Sequence, residues 1–121
     1  MLGIKALPHS FEAEWEDVKA GEVVVPLGED TFRQARHFGD QSADGRVLFG
    51  QWACEPGSFE VKGNPYLEYC RVIEGQMRTI DPDGTTQVFG PGDSFIIPHG
   101  YVGRCDIIST FRKEVVAFSP G

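Results

Sequence analysis

The strongest constraint on this chain is a series of short strand-like segments over residues 46–118, separated by turns that contain glycine and proline. Proline fixes φ and glycine readily takes a positive φ, so their combination marks chain reversals. The turns are Pro56-Gly57, Gly63-Asn64-Pro65, Pro82-Asp83-Gly84 and Gly90-Pro91-Gly92-Asp93. Segments spaced about 8–12 residues apart, with no helical pattern between them, are typical of a β-sandwich or β-barrel. The sequence therefore predicts an all-β domain.

The strand boundaries follow from these turns. We expect strands at 46–55, 58–62, 66–74, 76–81, 85–89, 94–97, 101–108 and 111–118, with Gly75 reversing the chain between two of them. Residues 22–27 are expected to form an edge strand, because Pro26 cannot donate a hydrogen bond to a neighbouring strand. Residues 28–45 are expected to form a covering loop, and Ser10 to cap a helical turn. The chain thus divides into an N-terminal extension, residues 1–45, that packs on a barrel core, residues 46–121.

Charge and cysteine usage exclude several kinds of partner and site. The net charge of −7 argues against binding to nucleic acid or to an anionic membrane, since both require a basic surface. The cysteines are odd in number and form no Cys-x-x-Cys pair, which fits a reducing compartment. No signal peptide is recognised at the N-terminus, and no apolar run approaches the roughly 20 residues of a membrane span. We therefore expect a cytoplasmic protein.

Two spaced motifs resemble those of the cupin superfamily. Glu68, six residues and Gly75 match the second half of the first motif, and Gly92, five residues and Pro98-His99-Gly100 match the second motif. The closer resemblance is to short single-domain cupins similar to the ureidoglycine aminohydrolases and to the cupin of ethanolamine utilisation. It is carried by Gly50-Gln51-Trp52, Glu55-Pro56-Gly57, Glu74-Gly75, Asp83-Gly84, Gly92-Asp93 and Phe111-Arg112-Lys113, together with the second motif. The resemblance implies a jelly-roll barrel, a double-stranded β-helix, and a homodimer formed by packing or swapping strands.

The resemblance also implies where a metal would bind. Metal-binding cupins hold a divalent ion with three histidines and one glutamate, and only Glu68 of that set is present here. The histidine pair should fall within residues 62–65, which contain no histidine, and Gly103 stands at the last ligand position. We therefore expect no metal and no other cofactor. A zinc site of Cys70, Cys105 and Glu68 is a conceivable substitute, although buried cysteines usually act as small apolar groups and His99 is expected to face solvent in a turn.

Alternation along the strands predicts which side chains line the barrel. With Glu68 inward, as the resemblance implies, Tyr66, Cys70 and Val72 share its face, and Tyr101, Gly103 and Cys105 share another. The opposite face, Leu67, Tyr69, Arg71 and Ile73, is the candidate dimer contact. The candidate ligand-binding residues are Trp52, Tyr66, Glu68, Cys70, Tyr101 and Arg104. Glu68 is also the candidate catalytic residue, as a general base or a hydrogen-bonding anchor, with Lys62, Arg104 or a tyrosine offsetting its charge. A purely structural carboxylate is the other interpretation.

Three functions fit these features. The first is a metal-free cupin that binds a small polar molecule. The second is a metal-dependent hydrolase that releases ammonia, as the resemblance to ureidoglycine aminohydrolases implies. The third is a non-catalytic module for dimerisation or partner binding. A helix-turn-helix regulator is excluded, because the sequence contains no helices that would form one.

Overall fold

The described part of the chain folds into β-strands joined by turns and loops. A computed structural model describes residues 3–9 and 12–120 of the chain. The strands are β1 (Glu16–Asp17), β2 (Val24–Leu27), β3 (Arg33–Gln41), β4 (Val47–Cys54), β5 (Gly57–Lys62), β6 (Leu67–Ile80), β7 (Thr86–Phe89), β8 (Ser94–Ile97) and β9 (Val102–Phe118). No helix occurs among the described residues, so none of them forms a helix that could span a bilayer. The predicted all-β class is confirmed.

Strand β9 is long enough to pair with different partners along its length. Its first part pairs with β5, its last part pairs with β4, and β6 runs antiparallel along its other edge. The resulting order is β1-β3-β4-β9-β5-β2, while β7 and β8 pair with β6. Because the two halves of β9 carry different neighbours, the antiparallel sheet curls around an interior.

Two predicted strand breaks are wrong, including the chain reversal expected at Gly75. Segments 66–74 and 76–81 form one strand, β6, and segments 101–108 and 111–118 form one strand, β9. Gly75 has a φ of 81° and lies where the pairing of β6 with β9 changes register. A glycine with positive φ serves a β-bulge as well as a turn, and here it bends the strand without ending it. Gly92, with a φ of 89°, does lie in the turn between β7 and β8.

The first part of the chain contributes strands to the same sheet. Residues 28–45 were expected to form a loop, but Arg33–Gln41 form β3, whose mostly exposed polar face accounts for the loop-like composition. The predicted edge strand is confirmed, since β2 contains Pro26 and pairs only with β5. Ser10, the predicted cap, lies outside the described residues, and Glu16–Asp17 form β1 instead of continuing a helical turn.

Apolar side chains fill the core of the sheet. The largest fully buried side chains are Phe111, Met77, Val72, Cys54 and Cys70. Trp52 makes edge-to-face contacts with Phe59 and Phe111, with each pair of ring centroids 6.1 Å apart. The buried apolar residues form two clusters, and Trp52 and Phe95 pack against both, so these two rings connect the clusters.

The alternation predicted for β6 is confirmed up to the bulge. Cys70 and Val72 are buried and Glu68 is half-buried, whereas Leu67 and Tyr69 on the other face are exposed. Ile96 on the neighbouring strand β8 is also exposed. The expected homodimer contact on this face stays a prediction.

A buried carboxylate joins β6, β5 and β9. Asp106 is 6% exposed and accepts hydrogen bonds from Arg78 Nε at 3.0 Å and from Arg104 Nε at 2.9 Å. Burial alone would raise the pKa of Asp106, but hydrogen bonds from Ser58, Arg104 and Arg78 outweigh it and hold the pKa below its ordinary value. Both arginines are half-exposed, which limits the energy of the two pairs.

Acid should therefore weaken the fold through Asp106. Its folded-state pKa is lowered, so its stabilisation is present above about pH 4 and is lost as the pH falls through the folded-state pKa. We expect Asp106→Asn to reduce the free energy of unfolding by about 1–2 kcal/mol at pH 7, and by less near pH 3. Urea unfolding at both pH values measures this, with Glu114→Gln, an exposed carboxylate on the same strand, as the control. An equal loss at pH 7 and pH 3 would contradict the prediction.

Candidate functional site

The curled sheet encloses a cavity of about 1220 Å³. Side chains from strands β2 to β9 line it, together with the loops that precede β6, β7 and β9. Four of the predicted ligand-binding residues lie in this wall: Trp52, Tyr66, Glu68 and Tyr101. The lining is mostly apolar and carries a few polar groups, which is the usual character of a small-molecule site.

Glu68 is held by an amide. The Nδ2 atom of Asn64, which is 9% exposed, donates hydrogen bonds to Glu68 Oε2 and to the carbonyl of Tyr66, each at 2.8 Å. The backbone of Asn64 is itself bonded to Tyr101 and Gly100, so the loop that carries the amide is fixed. Asn64 falls within residues 62–65, where the cupin pattern has its histidine pair. The sequence interpretation did not single out Asn64, whose only signal was this position in the motif.

The cations expected beside Glu68 lie elsewhere. Lys62 forms an ion pair with Glu60 on the outer face, with Nζ and Oε2 3.8 Å apart. Arg104 lies outside the main cavity and bonds to Asp106. Strand alternation explains this placement, because Arg104 pairs across from Glu60 and both point outward. Asn64 therefore supplies the hydrogen-bond donor to Glu68 that Lys62 or Arg104 was expected to supply.

The position of Gly103 is filled by a neighbouring ring. A Cβ atom on Gly103 would overlap the phenol of Tyr101. Tyr101 Oη donates a hydrogen bond to Asp81 Oδ1 at 2.8 Å, which locks the ring in place. Burial, and then the hydrogen bond to Asp81, raise the pKa of Tyr101, so its hydroxyl stays protonated. No side chain at residue 103 fits while the Tyr101 ring lies there.

Lys113 is a cavity residue that the sequence interpretation missed as a site residue. It is 6% exposed, and its Nζ atom lies 5.2 Å from the ring centroid of Trp52 and 5.4 Å from that of Phe95. On β9 it stands between Phe111 and Val115 on the buried face. The available signal was a lysine that interrupts an alternating apolar face. Lys113 had been named only within Phe111-Arg112-Lys113, one of the segments that carry the family resemblance.

The cysteines are buried and protonated. Burial raises the pKa of Cys105 to about 11, and burial with the charge of Glu55 raises that of Cys54 to about 12. Cys70 is fully buried with Val115 and Ala117, away from the cavity surface, and burial raises its pKa as well. His99 is exposed in the turn before β9, as predicted. Within residues 3–9 and 12–120, no group of three histidine, cysteine, aspartate or glutamate side chains lies close enough to hold a metal ion.

A family comparison agrees with this geometry. Residues 41–114 match the EutQ-like cupin domain. The chain belongs to this family. Its expected membership of the cupin superfamily, and the expected cupin barrel, are both confirmed. No protein of curated function matches this EutQ-like cupin.

Solved structures share the fold of this EutQ-like cupin. The EutQ protein of Clostridium difficile superposes with a TM-score of 0.63 at 19% identity, covering 73% of this chain and 69% of its own. A Salmonella typhimurium protein assigned as ethanolamine utilization protein Q gives 0.64 at 20% identity, covering 93% and 99%. A DUF861 family protein of Thermotoga maritima gives 0.53 at 26% identity, covering 56% and 76%. At such identities these likenesses bear on the fold, and function has to be argued from the site.

Proposed function

We propose that this EutQ-like cupin binds a small polar molecule inside its barrel without a bound transition metal. The observation that carries the proposal is the Asn64–Glu68 hydrogen bond on the wall of a largely apolar cavity. A fixed carboxylate among aromatic side chains is suited to orient a ligand that presents a hydrogen-bond donor. Trp52 and Tyr66 supply apolar surface in the same wall.

The groups at the motif positions support a metal-free site. Asn64 is engaged with Glu68, the space beside Gly103 holds the Tyr101 ring, and the thiols of Cys70 and Cys105 are protonated and buried. Zinc needs thiolate, imidazole or carboxylate ligands that converge on one point. The donors present here do not fit a divalent transition metal. The ammonia-releasing, metal-dependent hydrolase is the weaker alternative for this reason.

Glu68 acts in this proposal as a hydrogen-bond anchor. Asn64 donates to Oε2 and orients the carboxylate. Among the described residues, Oε1 has no hydrogen-bond donor, so it is available to a donor group of the ligand. A second polar contact from Tyr66 or Gln34 would fix the orientation of the bound molecule, because both side chains line the same cavity.

A ligand screen with matched variants tests this function. We expect at least one molecule in a panel of small amines, amides, alcohols and acids to raise the melting temperature, by an amount equivalent to about 2.7 kcal/mol at 100 times its Kd. Glu68→Gln should weaken that binding about tenfold or more, because a charge-assisted hydrogen bond becomes a neutral one. Glu60→Gln, which removes the same charge from the outer face, should leave the affinity unchanged.

Two results would contradict the proposal. One is a panel in which no molecule stabilises the folded protein, or in which Glu68→Gln binds as tightly as the wild type. The other is a stoichiometric transition metal in the purified protein by elemental analysis, together with loss of ligand binding when the metal is removed.

A further inference from the structure

Lys113 is a buried cation at the wall of the barrel cavity. In the strand register it lies between Trp52 on β4 and Val72 on β6, with its side chain on the inner face. Burying an ammonium group costs several kcal/mol unless an opposite charge or hydrogen-bond acceptors compensate. The contacts of Lys113 therefore decide what the site can accept.

The carboxylates of the cavity wall are engaged elsewhere. Glu68 accepts from Asn64, Asp81 accepts from Tyr101, and Asp83 accepts from the backbone of Thr85. Of the carboxylates in the described part of the chain, none lies within 4.0 Å of Lys113. The lysine has no acidic partner within the part of the protein that is described.

The groups that contact Lys113 carry no negative charge. The faces of the Trp52 and Phe95 rings, 5.2 and 5.4 Å from Nζ, attract a cation through their quadrupoles. The thiol of Cys70 lies close enough to Lys113 to interact with it, but burial raises the pKa of this thiol and keeps it uncharged. The ammonium group of Lys113, held between two rings at the edge of the cavity, therefore has no neighbouring negative charge among the described residues.

We propose that Lys113 binds the carboxylate group of the cavity ligand, with the rings of Trp52 and Phe95 flanking the bound acid. This inference rests on the proposed function and adds the ligand class, a small carboxylic acid with an apolar body. The apolar lining of the cavity suits that body. Glu68 lies on β6, four residues before Val72, the residue that pairs with Lys113. Its carboxylate is suited to accept from a donor group at the far end of the bound acid. A phosphate dianion is disfavoured, because it requires more donors than Lys113 supplies, and Arg36, which also lines the cavity, is 64% exposed and paired with Glu16.

Pairs of acids and their neutral amides test this assignment. Benzoate is compared with benzamide, and hexanoate with hexanamide, by calorimetry and by thermal shift, with inorganic phosphate as a third probe. We expect each acid to bind the wild type at least tenfold more tightly than its amide, and phosphate not to bind. Lys113→Met should weaken the acids about 10- to 100-fold, to the level of the amides, and leave the amides within about threefold of the wild type.

The controls separate this inference from the proposed function. Lys62→Met removes the same charge from an exposed site on the outer face and should leave all affinities unchanged. Lys113→Met should also raise the melting temperature of the free protein, because a buried cation is replaced by an apolar chain of similar length. If that variant does not fold, Lys113→Gln serves in its place and is expected to show the same loss of acid binding.

The outcomes are distinct. Acids and amides that bind the wild type equally, or acids that bind Lys113→Met as tightly as the wild type, would overturn the role of Lys113 while leaving a small-molecule cupin intact. Acids that fail to bind at all would overturn it too. Whether neutral molecules then stabilise the protein decides the proposed function separately.

Discussion

Gly75→Ala is expected to lower the free energy of unfolding by about 3–5 kcal/mol. Two effects add at this bulge. Gly75 has a φ of 81°, which costs a residue with a Cβ about 1–2 kcal/mol. The added Cβ would also overlap the carbonyl oxygen of Thr110 and lie 2.8 Å from the Cα of Phe111. Both neighbours are backbone atoms of β9, so the two central strands would have to separate where they cross the core.

Gly84→Ala is the matched control for that substitution. Gly84 has a φ of 89°, but a Cβ there would meet nothing within 4 Å. It should therefore lose only the conformational term, about 1–2 kcal/mol. Chemical denaturation of both variants gives the difference, about 2–3 kcal/mol, that belongs to the close approach of β6 and β9. Equal losses would mean that the bulge tolerates a side chain and that the packing described here is wrong.

Gly103→Ala is expected to lower the free energy of unfolding by about 2–3 kcal/mol, because the new methyl group occupies the space of the Tyr101 ring. The ring cannot swing away without breaking its hydrogen bond to Asp81. In a Tyr101→Ala background the same substitution should cost less than about 1 kcal/mol, since the space is then empty. The coupling between the two changes, measured by unfolding of the single and double variants, isolates this contact.

Gly90→Ala serves as the control for the Gly103 cycle. A Cβ at Gly90 would meet only Gln76 Cγ, at 3.9 Å, and its φ is not positive, so the change should be nearly neutral. Additive losses for Gly103→Ala and Tyr101→Ala would contradict the proposal that Tyr101 fills the position where the cupin pattern has a metal-binding histidine.

The site was predictable from sequence only in part. The motif identified Glu68, the alternation rule put Tyr66 on its face, and both side chains line the cavity. The same rule cannot tell which side chain donates a hydrogen bond to this half-buried carboxylate. Asn64 reaches Glu68 because of the conformation of the loop that precedes β6. Lys62 and Arg104 carry the right charge for that role, but they lie on the outer face of their strands. Lys113 was missed because it was considered only as part of the Phe111-Arg112-Lys113 motif, although it interrupts the alternating apolar face of β9.

The chain by itself determined the all-β class and most strand positions, because turn chemistry and alternation are local properties of a few neighbouring residues. The resemblance of its spaced motifs to those of cupins pointed to the family. The absence of histidine at residues 62–65 and at residue 103 was also legible in the sequence. Only the tertiary structure decided that Gly75 bends β6 without ending it, that residues 33–41 complete the sheet, and that the Tyr101 ring fills the space beside Gly103. It also decided that Lys113 faces the cavity between two rings. Each of these depends on contacts between strands far apart in the chain, which no local pattern encodes.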